Sequence, residues 1–370
     1  MLRYFTAGES HGECLTAIVE GMVAGLFVDE NLINHELWRR QQGYGRGARM
    51  KLETDMVHFT SGLRQGETLG APITMVIANK DDTINKMPSI ANPRPGHADL
   101  AGVQKYARTD VRDILERSSA RETAMRVAVG ALAKNFLKEF GIQVGSHIVS
   151  IEKAALTREA SFEEILNCDA SPVRCVDQEV EAAMIVAIDE AKSQGSSAGG
   201  VFEVVVKGVP VGLGSHAQWD RKLDARLAFG LMSLQAIKGV EVGFGFKSAA
   251  TYGHELHDSI TFEKGKGFSR ESNRAGGIEG GISNGEDIVV RAAMKPLSTL
   301  IRALKTVDIH SKKEAKASVQ RTDTCAVPAA GVVGEAIVAF EIATAFLDKF
   351  GGDSISEVRR NYKGFLDSLS

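Results

Sequence analysis

The chain has 370 residues, a formal net charge of −3, an apolar fraction of 44% and a charged fraction of 25%, which is typical of a folded protein with one large domain or two fused ones. This balance gives no general attraction to nucleic acid or to an anionic membrane, so any recognition of anions has to be local. Neither a signal-peptide pattern nor an apolar run long enough to span a bilayer is expected, and we predict a cytoplasmic protein. The cysteines (Cys14, Cys168, Cys175 and Cys325) lack metal-like spacing, which predicts free thiols and no metal site.

Apolar periodicity and end signals predict five helices, over residues 29–43, 119–141, 177–195, 220–239 and 334–352. In the second of them, Ser119 and Glu122 have the spacing of a capping box, and Gly141 is a natural stop. Strands are predicted over residues 71–79, 200–211 and 286–296, with a further short strand ahead of residue 6.

The order of these elements lacks the regular strand–helix alternation of a doubly wound sheet, which favours an α+β fold with sheets that cover helices. No linker marks a boundary, so we predict a single domain over residues 1–370. The phrases "GIQVG" (141–145) and "GVEVG" (239–243) each follow a helix. An internal pseudo-duplication of a helix-then-strand unit explains them, and so does coincidence.

Arginine and glycine are concentrated in "WRRQQGYGRGARMK" (38–51), which contains Arg40, Arg46 and Arg49. Guanidinium groups grip carboxylates and phosphates in a bidentate manner, and glycine allows close backbone approach. The alternatives are a solvated basic loop or a weak RNA-binding patch. Because aromatic residues are few and the chain is acidic overall, we favour a small polyanion over nucleic acid.

The segment "ERSSARET" (116–123) places Arg117, Ser118 and Ser119 ahead of a predicted helix and Arg121 in its first turn. Capping alone explains Ser119, but cations are disfavoured at a helix N-terminus unless an anion binds there. We therefore interpret this segment as a candidate anion site.

Two histidines stand in glycine-containing turns. In "NPRPGHADL" (92–100) the prolines stiffen the loop that carries Arg94 and His97, and in "TAGESHGE" (6–13) His11 follows the short strand. Each is explained by itself as a solvated turn. Two further segments carry polar groups next to predicted strands or helices: "KPLSTL" (295–300) offers phosphate donors, and "QRTDTC" (320–325) sets Arg321 close to Asp323, where a surface ion pair is the alternative.

The strings "GYGRGA" and "GLGSHA" both match a dinucleotide-binding spelling, and the second follows a predicted strand. An NAD(P)-dependent oxidoreductase is therefore an alternative function, although the acidic partner that such a site needs is missing. A non-catalytic protein that binds a phosphorylated metabolite is a second alternative.

Seven phrases, in family order, resemble the chorismate synthase family: "GESHGECLTAIVEG", "RRQQGYGRGARM", "RPGHADL", "ERSSARETAMRVAVGA", "GLGSHAQWDRKLDARLA", "GGIEGGISNGEDIVVRAAMKP" and "RTDTCAVPAAGVVGEA". The resemblance implies a lyase that converts 5-enolpyruvylshikimate 3-phosphate to chorismate by anti-1,4-elimination of phosphate and a ring proton, the last step of the shikimate pathway. It also implies reduced FMN as the cofactor, an association with NADP, a β-α-β sandwich with helices between antiparallel sheets, and a homotetramer. The length leaves no room for a reductase domain, so an external flavin reductase is expected to supply the reduced FMN.

The resemblance also assigns roles to residues. It implies that His97 lies near the departing phosphate, that His11 keeps the reduced flavin correctly protonated, and that Asp323 helps the flavin nitrogen to accept the ring proton. The residues implied to bind the substrate are Ser10, Arg40, Arg46, Arg49, Arg94, Ser119 and Arg121. Those implied to contact the flavin are Arg117, Ser118, Ser119, Gln235, Ala236, Gly280, Lys295, Pro296, Leu297, Ser298, Thr299 and Arg321.

Overall fold

The computed structural model describes residues 1–47, 54–265, 267–319 and 323–369. The strands, in chain order, are β1 (Arg3–Ala7), β2 (Cys14–Glu20), β3 (His58–Ser61), β4 (Leu63–Arg64), β5 (Glu67–Thr68), β6 (Ile73–Ala78), β7 (Gln143–Ile151), β8 (Ala154–Ala155), β9 (Gly200–Lys207), β10 (Ile237–Val242), β11 (Ile260–Glu263), β12 (Gly267–Arg270), β13 (Ile278–Glu279), β14 (Ile282–Ser283), β15 (Ile288–Met294), β16 (Lys305–Val307) and β17 (Glu314–Lys316). The α-helices are α1 (Glu30–Gln41), α2 (Asp99–Lys105), α3 (Arg112–Ser118), α4 (Thr123–Lys138), α5 (Phe162–Asn167), α6 (Gln178–Ser193), α7 (Leu223–Met232), α8 (Gly253–Leu256), α9 (Val327–Phe350) and α10 (Ile355–Leu369).

Two antiparallel sheets enclose a layer of helices. The four-stranded sheet has the order β1-β2-β6-β3, and the five-stranded sheet has the order β10-β15-β9-β7-β8. Helix α4 packs on β2 and β6, α9 packs on β7 and β9, and the two helices pack against each other between the sheets. The predicted α+β class and the β-α-β sandwich implied by the resemblance are therefore confirmed.

Helix α9 is the centre of this sandwich. It begins with a proline in its first turn, where the missing N–H has no intrahelical partner to lose, and it ends at Gly351, whose φ is 49°. Its apolar composition would allow it to cross a membrane, contrary to the expectation that no run of the chain is long enough. Since 94% of its most apolar window is buried, that composition reflects a core helix that is covered on all sides.

The predicted helices agree with the structure where local capping signals determine the helix boundaries, and they differ elsewhere. Helices α1 and α6 confirm the first and third predictions. The helix predicted over 220–239 is wrong at its end, because α7 stops at Met232 and β10 follows. The last helix begins at Val327, seven residues before its predicted start. The predicted strands over 71–79, 200–211 and 286–296 are confirmed as β6, β9 and β15, each slightly shorter.

The start of α4 differs from the capping-box prediction, which is wrong. A 3-10 turn over Ala120–Glu122 precedes α4, and Ser119 Oγ accepts the N–H of Arg121. Glu122 turns away, because its carboxylate accepts hydrogen bonds from Thr6 and Arg126.

The dinucleotide-binding interpretation of "GLGSHA" also fails on topology. The strand that precedes it, β9, pairs with β7 and β15, and both pairings are antiparallel. A dinucleotide turn of this kind belongs to a parallel β-α-β unit.

Candidate active site

His97 lies just before α2 and is fixed by the first residue of that helix. Its Nδ1 is 2.5 Å from Asp99 Oδ1, and Arg94 donates to the same carboxylate through Nε at 2.8 Å and Nη2 at 3.0 Å. Burial alone would raise the pKa of Asp99, but the hydrogen bonds from His97 and Arg94 outweigh it and hold that pKa well below its usual range. Asp99 is therefore an anion at neutral pH, while the His97 side chain stays 20% exposed.

The loop that carries His97 is docked onto the segment 295–299. The carbonyl oxygen of Gly96 accepts hydrogen bonds from Lys295 Nζ at 2.6 Å and from Ser298 Oγ at 2.8 Å. Thr299 Oγ1 accepts from Arg94 Nη1 at 2.8 Å. The sequence-predicted phosphate donors and His97 are thus brought together at one place.

Arg94, which is predicted to bind the substrate, also makes contacts that hold its own loop. Its side chain is 6% exposed, and its guanidinium nitrogens donate to Asp99 and Thr299. A guanidinium used in this way holds the loop, so the geometry gives Arg94 a positioning role.

His11 lies in the turn between β1 and β2 and is held by Glu116 of α3. Its backbone N–H and its Nδ1 lie 3.0 and 2.8 Å from Glu116 Oε2, while Arg112 Nη1 donates to Oε1 at 3.1 Å. The other ring nitrogen, Nε2, is 3.9 Å from Asp81 Oδ2. Burial would raise the pKa of Glu116, but the hydrogen bonds from His11 and Arg112 lower it overall.

The turn that carries His11 is joined to the segment before α4. The N–H of Ser10 donates to the carbonyl of Glu116 at 3.0 Å, and Ser119 Oγ donates to Ser10 Oγ at 3.3 Å. Asn79 Nδ2 donates to the carbonyl of Gly12 at 2.7 Å. The predicted residues Ser10, His11 and Ser119 therefore form one connected group.

Three of the predicted substrate arginines gather around two aspartates. Arg121 Nη1 donates to both carboxylate oxygens of Asp55 at 2.6 and 2.7 Å, and Arg40 Nη1 is 3.6 Å from the same group. Arg46 Nη1 pairs with Asp323 Oδ2 at 2.9 Å. Burial, with further repulsion from Arg46 and Arg121, lowers the pKa of Arg40 to about 10 although Asp55 acts in the opposite direction. Crowded, desolvated cations of this kind favour the binding of an anion.

The arginine and the first serine of "ERSSARET" occupy a different helix end from the one predicted. Arg117 and Ser118 are the last residues of α3, where a cation is favoured by the helix dipole. Arg117 donates to the carbonyl oxygens of Gly8 and Thr6, and the Ser118 hydroxyl donates back to Ile114. The predicted conflict between these cations and a helix N-terminus is thus absent for Arg117, and the Ser118 hydroxyl is turned toward its own helix.

Ala236 adjoins the segment 295–299, and Gln235 precedes it in the chain. The carbonyl of Ala236, whose φ is 68°, accepts the N–H of Lys295 at 2.9 Å. Gln235 Nε2 donates to Glu122 at 3.2 Å, whereas its buried Oε1 has no hydrogen-bond partner among the described residues. Burial, with the neighbouring charge of Lys238, lowers the pKa of Lys295. The site therefore offers an acceptor and a cation for a ligand.

The remaining predicted cofactor residues differ in position. Leu297, which follows Pro296, is fixed by its carbonyl, which accepts from Ser197 Oγ at 2.8 Å. Gly280 lies in the turn between β13 and β14. The carbonyl oxygen of the next residue, Gly281, accepts the N–H of Leu223 at the start of α7. Gln235 follows the end of α7, a helix about 15 Å long, so Gly280 and Gln235 lie at opposite ends of this helix. Arg49 and Arg321 lie outside the described residues.

Three carboxylates that organise the site are not among the residues predicted from the sequence: Asp55, Asp99 and Glu116. Asp99 stands two residues after His97 and could have been found from that spacing. Glu116 is 105 positions from His11, and Asp55 is 66 positions from Arg121. Only the fold brings those pairs together.

Comparisons with known proteins identify the family of this chain. The family model described as chorismate synthase matches residues 2–347. The curated chorismate synthase of Geobacter metallireducens is 54% identical, with 100% of this chain and 99% of the relative covered. That of Desulforamulus reducens is 55% identical over 97% of each chain. A crystal structure of chorismate synthase matches with a TM-score of 0.83 and 44% identity, covering 100% of this chain and 98% of that one.

Proposed function

The chain belongs to the chorismate synthase family, the carbon–oxygen lyases that serve the shikimate pathway, and we propose that it eliminates phosphate from 5-enolpyruvylshikimate 3-phosphate with the help of reduced FMN. One observation carries the proposal: the loop of His97 docks on Lys295 and Ser298, so a titratable group and phosphate donors share one site. A phosphate is a poor leaving group, and its departure is eased by a neighbouring acid.

The anionic groups of the substrate, two carboxylates and a phosphate, call for several cations. Arg40, Arg46 and Arg121 are the described arginines that we propose for them, assisted by Ser10 and Ser119. The support is their convergence and the lowered pKa of Arg40, because a bound anion would relieve the repulsion among them. Arg49 stays a sequence-based prediction for the same role.

The residues near Lys295 fit a flavin mononucleotide. The amine of Lys295 and the hydroxyls of Ser298 and Thr299 suit a phosphate. The buried Oε1 of Gln235, which has no partner in the part of the chain that the structure describes, suits a ring N–H donor. When bound, reduced FMN would supply an electron-rich ring and a nitrogen base for the ring proton of the substrate. Ser119, Ala236, Pro296 and Leu297 complete the group that we propose to hold it, while Arg117, Ser118, Gly280 and Arg321 stay sequence-based predictions.

The side chains of the protein then have separate tasks. We propose that His97 donates a proton, or a hydrogen bond, to the departing phosphate. His11 holds a proton next to the cofactor, and Asp323, whose carboxylate pairs with Arg46 at 2.9 Å, orients the proton that the cofactor nitrogen would accept. Acid–base groups of this kind typically contribute about 10²–10⁴-fold each.

We further propose a single domain with an internal pseudo-duplication. The support is the symmetric order β10-β15-β9-β7, in which β7 follows α4 and β10 follows α7, and each pairs with a strand later in the chain. A homotetramer, a cytoplasmic location, an association with NADP and an external flavin reductase are proposals that rest on the family resemblance.

The experiment supplies the purified chain anaerobically with 5-enolpyruvylshikimate 3-phosphate and chemically reduced FMN, and measures phosphate and chorismate. We expect both products in equal amounts. Binding of oxidised FMN and substrate without product would instead support a protein that only binds a phosphorylated metabolite.

A variant links the activity to the site. His97→Ala should lower turnover by about 10²–10⁴-fold and leave FMN binding unchanged, whereas His254→Ala, at a histidine whose side chain is 79% exposed, should leave turnover unchanged. Full activity of His97→Ala would remove this residue from the mechanism.

A further inference from the structure

Both histidines of the site share one arrangement that the proposed function does not require. Each has its Nδ1 against a buried carboxylate, 2.5 Å for His97 and Asp99 and 2.8 Å for His11 and Glu116. Each carboxylate is held in turn by an arginine, Arg94 in the first case and Arg112 in the second. The side chains of Asp99 and Glu116 are 0% and 2% exposed.

Both carboxylates come from one helix pair. Asp99 is the first residue of α2 and Glu116 lies in the last turn of α3, and these two helices pack against each other. Val103 and Leu115 belong to their own small apolar cluster, separate from the main core. A single structural unit therefore supplies the partner of each imidazole.

The chemistry of the contact fixes the position of a proton. A carboxylate is acceptor-only when it is ionised, so a ring nitrogen at 2.5–2.8 Å has to carry the proton. The arginine partners keep both carboxylates ionised. Arg94 Nη2 lies 3.1 Å from His97 Nδ1, farther than the carboxylate. Each imidazole therefore keeps a proton on Nδ1, so the proton that it gives up or takes is carried by Nε2, which lies 3.4 Å from Arg94 Nη2 in His97 and 3.9 Å from Asp81 Oδ2 in His11.

We propose that Asp99 and Glu116 are positioning residues, and that the α2–α3 pair sets His97 and His11 in the Nδ1-protonated form, which makes Nε2 the nitrogen that exchanges a proton. The inference rests on the proposed function for its consequence in catalysis, but the protonation pattern stands by itself. A carboxylate that orients a histidine in this way acts through the ring and need not change its own protonation state.

The chain contains a matched control outside the site. In the five-stranded sheet, Glu203 lies between His147 and Arg291, at 3.0 Å from His147 Nε2 and at 2.6 Å from Arg291 Nε. The His147 side chain is 2% exposed. Here the carboxylate faces Nε2 instead of Nδ1, so the same reasoning gives the opposite protonation.

The first test measures protonation directly, by nitrogen NMR of histidine-labelled protein sedimented for magic-angle spinning, at a pH above the usual titration of imidazole. Signals are assigned by their loss in His11→Gln, His97→Gln and His147→Gln. We expect a protonated Nδ1 at His11 and His97 and a protonated Nε2 at His147. A bare Nδ1 at His97 or at His11 would overturn the proposal.

The second test uses Asp99→Asn. The amide offers one acceptor oxygen, and the backbone N–H and Nε of Arg94, which both donate to Asp99 Oδ2, compete for it with His97. We expect the oxygen to turn to Arg94 and the amide NH₂ to face His97, which moves the ring proton to Nε2. Asp99→Glu keeps the anion and should keep Nδ1 protonated.

Kinetics then separate positioning from structure. Asp99→Asn and Glu116→Gln should each lower kcat by about 10²-fold, while KM and the Kd for FMN stay unchanged, and Glu203→Gln should leave kcat unchanged. Normal kcat in Asp99→Asn, despite a moved proton, would refute the positioning role. Absence of turnover in the wild-type chain would reject the proposed function and leave the NMR result to decide the protonation pattern.

Discussion

Replacing the buried Glu335 should lower the free energy of unfolding by an amount that follows from the contacts of its carboxylate. Glu335 lies on α9 with a side chain that is 0% exposed. It accepts hydrogen bonds from Arg39 at 2.8 and 2.9 Å, from Arg174 at 2.9 Å and from Ser146 at 2.7 Å, and it pairs with Lys134. These charges hold the pKa of Glu335 well below its usual range although burial acts to raise it.

Glu335→Gln keeps the shape of the side chain and removes its charge. One oxygen becomes an NH₂ donor that faces Arg39 and Lys134, so charge-assisted hydrogen bonds are lost. Among the described residues, the buried cations around it then keep only Glu36 and Asp169 as counter-charges. Breaking a buried ion pair in this way costs about 3–5 kcal/mol of the free energy of unfolding. The matched control is Glu20→Gln, since Arg3 and Glu20 also lie 2.6 Å apart but are 59% and 50% exposed; a surface pair contributes about 0–1 kcal/mol.

Equilibrium unfolding in urea, followed by circular dichroism and by tryptophan fluorescence, gives both free energies where the transitions of the two probes coincide. The expected order is a large loss for Glu335→Gln and almost none for Glu20→Gln. If the two variants lose the same free energy, burial does not decide the strength of these ion pairs and the reasoning is refuted.

Three further predictions concern packing, acid stability and the cofactor. Gly130→Ala should cost about 1–3 kcal/mol of unfolding free energy, because its Cβ would lie 2.3 Å from that of Ala336 across the α4–α9 contact; Gly364→Ala, where a Cβ meets nothing within 4 Å, should gain about 0.5–1 kcal/mol. The free energy of unfolding should have its full value above about pH 4 and decrease as the pH is lowered further, because folding depresses the pKa of carboxylates such as Asp99. A free energy of unfolding that does not change with pH in this acid range, measured by urea titration, would contradict this. Lys295→Gln should raise the Kd for FMN by about 10-fold or more, measured by equilibrium titration, and an unchanged Kd would exclude this amine from the cofactor site.

Parts of the fold could be predicted because short-range signals determine them. Asp29 and Asp177 accept backbone N–H groups at the starts of α1 and α6, where acidic residues mark the helix ends. The end of α7 could not be found in this way, because residues 237–242 keep an apolar pattern and become β10 only by pairing with β15. Similarly, Glu122 has the spacing of a capping box, but its carboxylate accepts hydrogen bonds from side chains remote in sequence.

The site likewise has features that the local sequence indicates and features that only the fold determines. Residue types next to glycine and proline indicate His11, His97 and the arginine segments, because such loops expose chemistry at fixed positions. The sequence does not show which charged side chains form ion pairs with each other. Arg94 has the composition of a substrate clamp, and only the fold reveals that its guanidinium is turned inward to Asp99.

The place of α9 in the chain has a consequence for synthesis on the ribosome. Strands of both sheets are encoded between Arg3 and Met294, but the helix that packs on β7 and β9 and, through Phe340, against Tyr4 of β1 begins only at Val327. The emerging chain therefore exposes the surfaces that α9 covers until this helix has left the ribosome. Such long-range closure is slow and prone to aggregation, so the packing of the two sheets waits for a helix that is synthesised after all of their strands.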